Sequence, residues 1–108
     1  MSSFNDKELE LRKNLEKSTN LEENKRAIKQ YLQFLITCLK NKTISEKQFD
    51  SFSFYIIMYS KGENENDLIN SIWICCSELD VSDEDPTYWT NRNRTTTREE
   101  LINYVSKL

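Results

Sequence analysis

The chain has 108 residues, of which 37% are hydrophobic and 31% charged, with one Gly, one Pro and no His. That length holds one domain around a single core, and so little Gly and Pro excludes an all-β fold built on tight hairpins. The absence of His removes catalytic triads, imidazole bases and most zinc sites, while a net charge of −3 opposes direct phosphate binding.

Phe4, Leu11 and Leu15 predict a weak first helix over about 5–17. Thr19-x-x-Glu22 and Asn20-x-x-Glu23 both have the form of an N-cap with its acidic partner, and Ile28, Tyr31, Leu32, Leu35 and Leu39 follow at helical spacing, predicting a helix over about 21–41. Ser45-x-x-Gln48 is a second capping box, ahead of Phe49, Phe52, Ile56 and Tyr59, and the helix it opens runs to about Ser60. Within it, residues 54–59 are apolar on nearly every side, a pattern shared with buried strands, but the box and the length favour a helix. Lys61 and Gly62 mark its stop.

Asn66 or Asp67 caps the next helix, whose Leu68, Ile69, Ile72, Trp73, Cys76 and Leu79 make a broad apolar stripe. Residues 80–96 have neither helical nor alternating period and are expected to form a long loop, a length that is commonly functional or disordered. Tyr88 and Trp89 argue against disorder. Thr97-x-x-Glu100 is a further capping box, leading into Leu101, Ile102, Val105 and Leu108. The expected fold class is therefore all-α: a small single-domain helical bundle over residues 1–108, with four main helices and a fifth short helix in an N-terminal extension of about 1–19.

Cys38, Cys75 and Cys76 are odd in number and two are adjacent, so no disulfide framework is expected. Cys75 and Cys76 lie on the apolar stripe and read as small buried hydrophobes. The first residues lack the pattern of a secretory leader, and no run approaches the ~20 apolar residues of a membrane span. The expected location is the cytoplasm of a bacterium, since heavy use of Asn, Lys and Ile suits an A+T-rich bacterial, plasmid or phage genome.

Charge is unevenly placed along the chain. Up to Ile44 nine basic residues stand against six acidic ones, whereas Glu63, Glu65, Asp67, Glu78, Asp80, Asp83, Glu84 and Asp85 follow with no Lys or Arg between them. Such a stretch steers a basic partner, and Tyr88 and Trp89 beside it are the flat rings enriched at binding hot spots. The candidate partner-binding residues are Asp80, Asp83, Glu84 and Asp85 as contacts for Lys or Arg, Tyr88 and Trp89 as anchors, and Glu63, Glu65 and Asp67 in second place. The plainer alternatives are a solvated acidic face and a buried loop anchor.

Other chemistry finds little support. Asp83-Glu84-Asp85 lacks the spacing and turn Gly of a calcium loop, nothing signals the opposed carboxylates of a glycosidase cleft, and no nucleophile has a base at recognisable spacing. Non-enzymatic function is expected, without catalytic residues, metal or cofactor. Arg92 and Arg94 are too few for a nucleic-acid patch, and Lys25, Arg26 and Lys29 alternate with Glu22 and Glu23 as an i,i+4 paired exterior. No direct nucleic-acid or membrane partner is expected, and the chain is read as a monomer.

The succession of Ile44-Ser45-Glu46-Lys47-Gln48-Phe49 opening a helix, an acidic break, an apolar helix ending Glu78-Leu79-Asp80, then Asp85-Pro86, then Arg98-Glu99-Glu100-Leu101 resembles the colicin D immunity-like proteins, over roughly Leu32 to Leu108. That family includes immunity proteins of contact-dependent growth inhibition systems. The resemblance implies a helical bundle that binds the C-terminal nuclease domain of a cognate toxin, often a transfer-RNA cleaving one. The residues before about Thr19 and the position of Tyr88-Trp89 after the Asp-Pro pair do not match the family pattern. Two other readings fit the composition: a phage-type acidic nucleic-acid mimic that inhibits a host DNA-binding or restriction factor, and a helical adaptor without inhibitory role.

Overall fold

The computed structural model describes residues 3–60, 67–80 and 93–108. These form an all-α bundle of α1 (Phe4–Lys17), α2 (Leu21–Lys40), α3 (Glu46–Tyr59), α4 (Asp67–Leu79) and α5 (Arg94–Ser106). The helix starts follow from local hydrogen bonding, because the first N–H groups of a helix have no partner within it. Ser3 accepts from Asp6 N (3.2 Å) at α1, and Asn20 accepts from Glu23 N (2.9 Å) at α2. Of the two overlapping boxes before α2, Asn20 is thus the cap. The Glu23 carboxylate reaches one residue further back, to the N–H and hydroxyl of Thr19 (3.0 and 2.9 Å).

At α3 the box is reciprocal: Gln48 N donates to Ser45 Oγ (3.1 Å) and Ser45 N donates to Gln48 Oε1 (2.8 Å). The apolar stretch 54–59 is helical. The expected stop at Lys61 and Gly62 and the expected cap at Asn66 lie outside the described residues.

Two expectations at the last helix are corrected. Asn93, not Thr97, is the N-cap of α5, accepting from Thr96 N (2.9 Å), so the helix begins a turn earlier and residues 94–96 belong to it rather than to a loop. Thr97 is a buried interior residue of that helix. Its hydroxyl lies 3.2 Å from both Asn93 O and Glu78 Oε2, which is why it does not serve as a cap.

One continuous cluster forms the core. α2 supplies its centre with Ile28, Tyr31, Leu32 and Leu35, and packs on α1, α3 and α5; α4 lies against α3 and α5. Cys38, Cys75 and Cys76 are buried within this cluster and form no disulfide. Residues 4–17 join the same core rather than lying over it: Leu11 and Leu15 are buried, and the Phe4 ring stacks on Phe34 and meets Phe52 edge-on. α2 ends in a Schellman motif, with Thr43 N bonded to Cys38 O (2.8 Å) and Lys42 N to Leu39 O (3.1 Å). This places Lys42 at φ 61, a position usually taken by Gly. No helix among the described residues is long and apolar enough to cross a membrane.

Candidate functional site

The start of α3, the end of α4 and the start of α5 meet around Asp50. Phe49, Ser53 and Ile56 turn α3 toward the core, and Asp50, beside Phe49, is left facing α5. Arg94 and Arg98 lie one turn apart on α5 and both reach it. Arg98 donates from Nε to Asp50 Oδ1 (2.8 Å) and from Nη2 to Oδ2 (2.6 Å), the planar fork on a carboxylate that lysine cannot make. Its Nη1 reaches Glu46 (3.1 Å), whose side chain remains 69% exposed. Arg94 Nη1 is shared between Asp50 Oδ2 (3.1 Å) and the carbonyl oxygen of Leu79 (2.6 Å).

The bond to Leu79 has a specific consequence. Leu79 is the last residue of α4, so its carbonyl lacks a partner within the helix and carries part of the negative end of the helix dipole. Arg94 satisfies it while holding Asp50. The last residue of α4 and the first of α5 are thereby tied to each other and to α3, and the Thr97–Glu78 contact adds a second tie one turn away. Buried ion pairs contribute little net stability against an apolar replacement, so their effect here is to fix how α3, α4 and α5 meet.

Among the sequence candidates, Asp80 is exposed just after α4, with its N–H bonded to Cys76 O and Ser77 O (3.1 and 3.2 Å). Asp67 is the first residue of α4. Glu63, Glu65, Asp83, Glu84, Asp85, Tyr88 and Trp89 lie outside the described residues. The residues that organise this end of the molecule, Asp50, Arg94 and Arg98, were not singled out as a group by sequence reasoning. An available signal was an acidic residue among the apolar positions of α3 together with two arginines spaced i,i+4. Starting α5 at Thr97 separated Arg94 from Arg98 and hid it.

A second buried polar cluster joins α1, α2 and α3. Tyr31 donates to Glu8 Oε2 (2.8 Å), and Arg12 Nη2 donates to Glu8 Oε1 (3.2 Å). Arg12 Nε lies 3.1 Å from Glu8 Oε2 as an ionic contact without hydrogen-bond alignment. The same guanidinium lies over the Tyr55 ring and donates to its hydroxyl (2.6 Å). Burial, reinforced by the bond to Glu8, pushes the Tyr31 phenol well above its usual range. The Cys76 thiol is likewise pushed up by burial and by adjacent Cys75, so it stays a neutral, unreactive group. Among the described residues no group of three or more Cys, Asp or Glu side chains could hold a metal ion.

Comparisons of the chain with protein-family models, with curated proteins and with solved structures give no match.

Proposed function

We propose that this chain is a non-catalytic inhibitor that binds and covers a basic protein partner, acting as an immunity protein against a toxin nuclease domain of the transfer-RNA cleaving kind. The observation that carries the reading is the run of eight acidic residues from Glu63 to Asp85, uninterrupted by Lys or Arg and followed by Tyr88 and Trp89. A nuclease domain must be basic to hold phosphates, and an acidic surface set against it excludes the substrate by charge complementarity. Fast, steered association suits an inhibitor that must act before damage is done. The tie of Leu79 to Arg94 supports the reading, since anchoring both ends of a binding segment lowers the entropy lost on binding. The likeness of residues 32–108 to colicin D immunity-like proteins supports it as well.

In this proposal Asp80, Asp83, Glu84 and Asp85 contact toxin Lys or Arg, Tyr88 and Trp89 anchor the centre, and Glu63, Glu65 and Asp67 extend the field. The test is co-expression and co-purification with the product of the adjacent reading frame, followed by binding kinetics. Asp83→Asn, Glu84→Gln and Asp85→Asn together should slow association and flatten its salt dependence, as peripheral charges act chiefly on the on-rate. Trp89→Ala should speed dissociation, by about 2 kcal/mol or more for a central anchor. A neighbouring gene product that neither binds nor is neutralised would refute the proposal.

A further inference from the structure

We infer that the outer face of α2, with a groove on either side of Arg26, is a docking surface for an acidic peptide segment of a protein partner. One groove lies between α1 and α2 and is lined by Asn14, Lys17, Glu23, Arg26 and Gln30 over buried Ala27. The other lies between α2 and Leu108 and is lined by Glu22, Lys25, Arg26 and Lys29. Helical spacing explains the arrangement: Lys25 and Lys29 stand one turn apart on one flank of α2, Glu23 and Ala27 on the other, and Arg26 on the ridge between them. The sequence pairs these cations with Glu22 and Glu23, but the structure does not. The Glu23 carboxylate turns back to the N–H and hydroxyl of Thr19 (3.0 and 2.9 Å). Among the described residues Lys17, Lys25 and Arg26 have no ion pair and no hydrogen-bond partner. Lys29 is committed, since its ammonium donates to the main-chain oxygen of Leu108 (3.1 Å). A peptide oxygen is thereby already seated at the edge of the second groove.

Three open cations on one exposed face attract an anion, and the rest of the lining decides which kind. Arg26 offers a carboxylate two parallel N–H donors. Asn14 and Gln30 each carry donors and an acceptor, the pair of functions that a peptide group presents in return. Glu22 is a further acceptor, suited to a peptide N–H. A phosphate backbone brings oxygens that the Glu22 carboxylate opposes, and no aromatic ring lines either groove to stack a base. The net charge of −3 also works against a long polyanion. A short acidic peptide is held locally instead. The two grooves are separated by α2 itself, about 10 Å across, a distance that about three extended residues span.

The test uses the full 15N-labelled chain and defined probes: a synthetic peptide of alternating Glu and Ser, its Lys-for-Glu counterpart, and single-stranded oligouridylate of the same charge. The Glu peptide should shift the amide signals of Lys17, Arg26, Ala27, Gln30 and Leu108 with a salt-sensitive affinity, and the Lys peptide should not. The triple variant Lys17→Gln, Lys25→Gln, Arg26→Gln should weaken binding tenfold or more with a melting temperature close to that of the parent, because these side chains hold no partner in the fold. A charge-matched control, Lys40→Gln, Lys42→Gln, Lys47→Gln, should bind as the parent does. Equal losses in both triple variants would reduce the effect to general attraction and overturn the inference. Tighter binding of oligouridylate than of the Glu peptide at the same salt, or shifts confined to other surfaces, would overturn it too, as would self-association of the chain abolished by the first variant. In the proposed function neutralisation of the toxin is carried by the acidic run and should survive in the first variant, so the two readings fail separately.

Discussion

Replacing Asp50 by Ala is the most direct perturbation of the architecture. The Asp50 side chain is 7% exposed and receives three charged N–H donors, two from Arg98 and one from Arg94, while Arg98 is itself 10% exposed. Removing the carboxylate leaves two guanidinium groups in a poorly solvated site, the case in which breaking a buried pair costs about 3–5 kcal/mol. Arg98 retains exposed Glu46 and Arg94 retains the Leu79 carbonyl, which points to the lower half of that interval. For a chain of this length about 1 kcal/mol corresponds to about 4 °C, so the midpoint should fall by about 12–16 °C. Thermal melting followed by circular dichroism measures it. The companion variant Asp50→Leu, Arg98→Met removes donors and acceptor together and should recover more than half of the loss, leaving Arg94 on Leu79. A loss below about 1 kcal/mol for Asp50→Ala, a range typical of surface pairs, would refute the view that this cluster is desolvated and coupled.

Lys42→Gly should stabilise the chain by about 1 kcal/mol, because the left-handed φ of 61 costs a side chain with a Cβ about that much and Gly nothing; thermal melting would show it. In alkali, the unfolded chain ionises Cys76 from its ordinary 9.0 and Tyr31 from 10.0, while burial keeps both protonated in the fold. Unfolding therefore releases protons, and stability should be level below pH ~8.5 and fall above it by about 1.4 kcal/mol per pH unit per group. Urea midpoints across this range measure the slope, and Tyr31→Phe should remove its upper part; a slope unchanged by that variant would count against the assignment.

The sequence was most legible where a boundary depends on adjacent residues. Ser45 and Gln48 satisfy each other's backbone groups across a single turn, so the start of α3 could be read without knowledge of any other helix. The start of α5 could not, because Thr97-x-x-Glu100 and Asn93-x-x-Thr96 are both acceptable locally. What selects Asn93 lies in other helices: α5 needs its extra turn to bring Arg94 to Asp50 and Leu79, and Thr97 is drawn inward to Glu78. The acidic run was plain from composition. The two grooves beside Arg26 were not, since Lys25, Arg26 and Lys29 read as partners of Glu22 and Glu23 until Glu23 is seen to turn back to Thr19.

The same dependence on tertiary packing bears on α1, whose sparse apolar residues make it the weakest helix on sequence grounds. Its Leu11 and Leu15 are 8% and 0% exposed in the common core, and at about 1.5–3 kcal/mol for each fully buried side chain they contribute about 3–6 kcal/mol. Deleting residues 2–18 removes these contacts, uncovers Tyr31 and Phe34 on α2, and takes away Glu8, the acceptor for the Tyr31 hydroxyl. Domains of this kind have a total stability of about 5–15 kcal/mol. The truncated chain should therefore be unfolded or close to it at 25 °C, with broadened melting and binding of a hydrophobic dye, and Leu15→Ala alone should cost about 2–5 kcal/mol. An appended segment would behave differently, leaving a cooperative transition within a few degrees of the full chain. That result would make residues 19–108 self-sufficient and α1 an accessory; loss of cooperativity would establish that the N-terminal helix completes the fold.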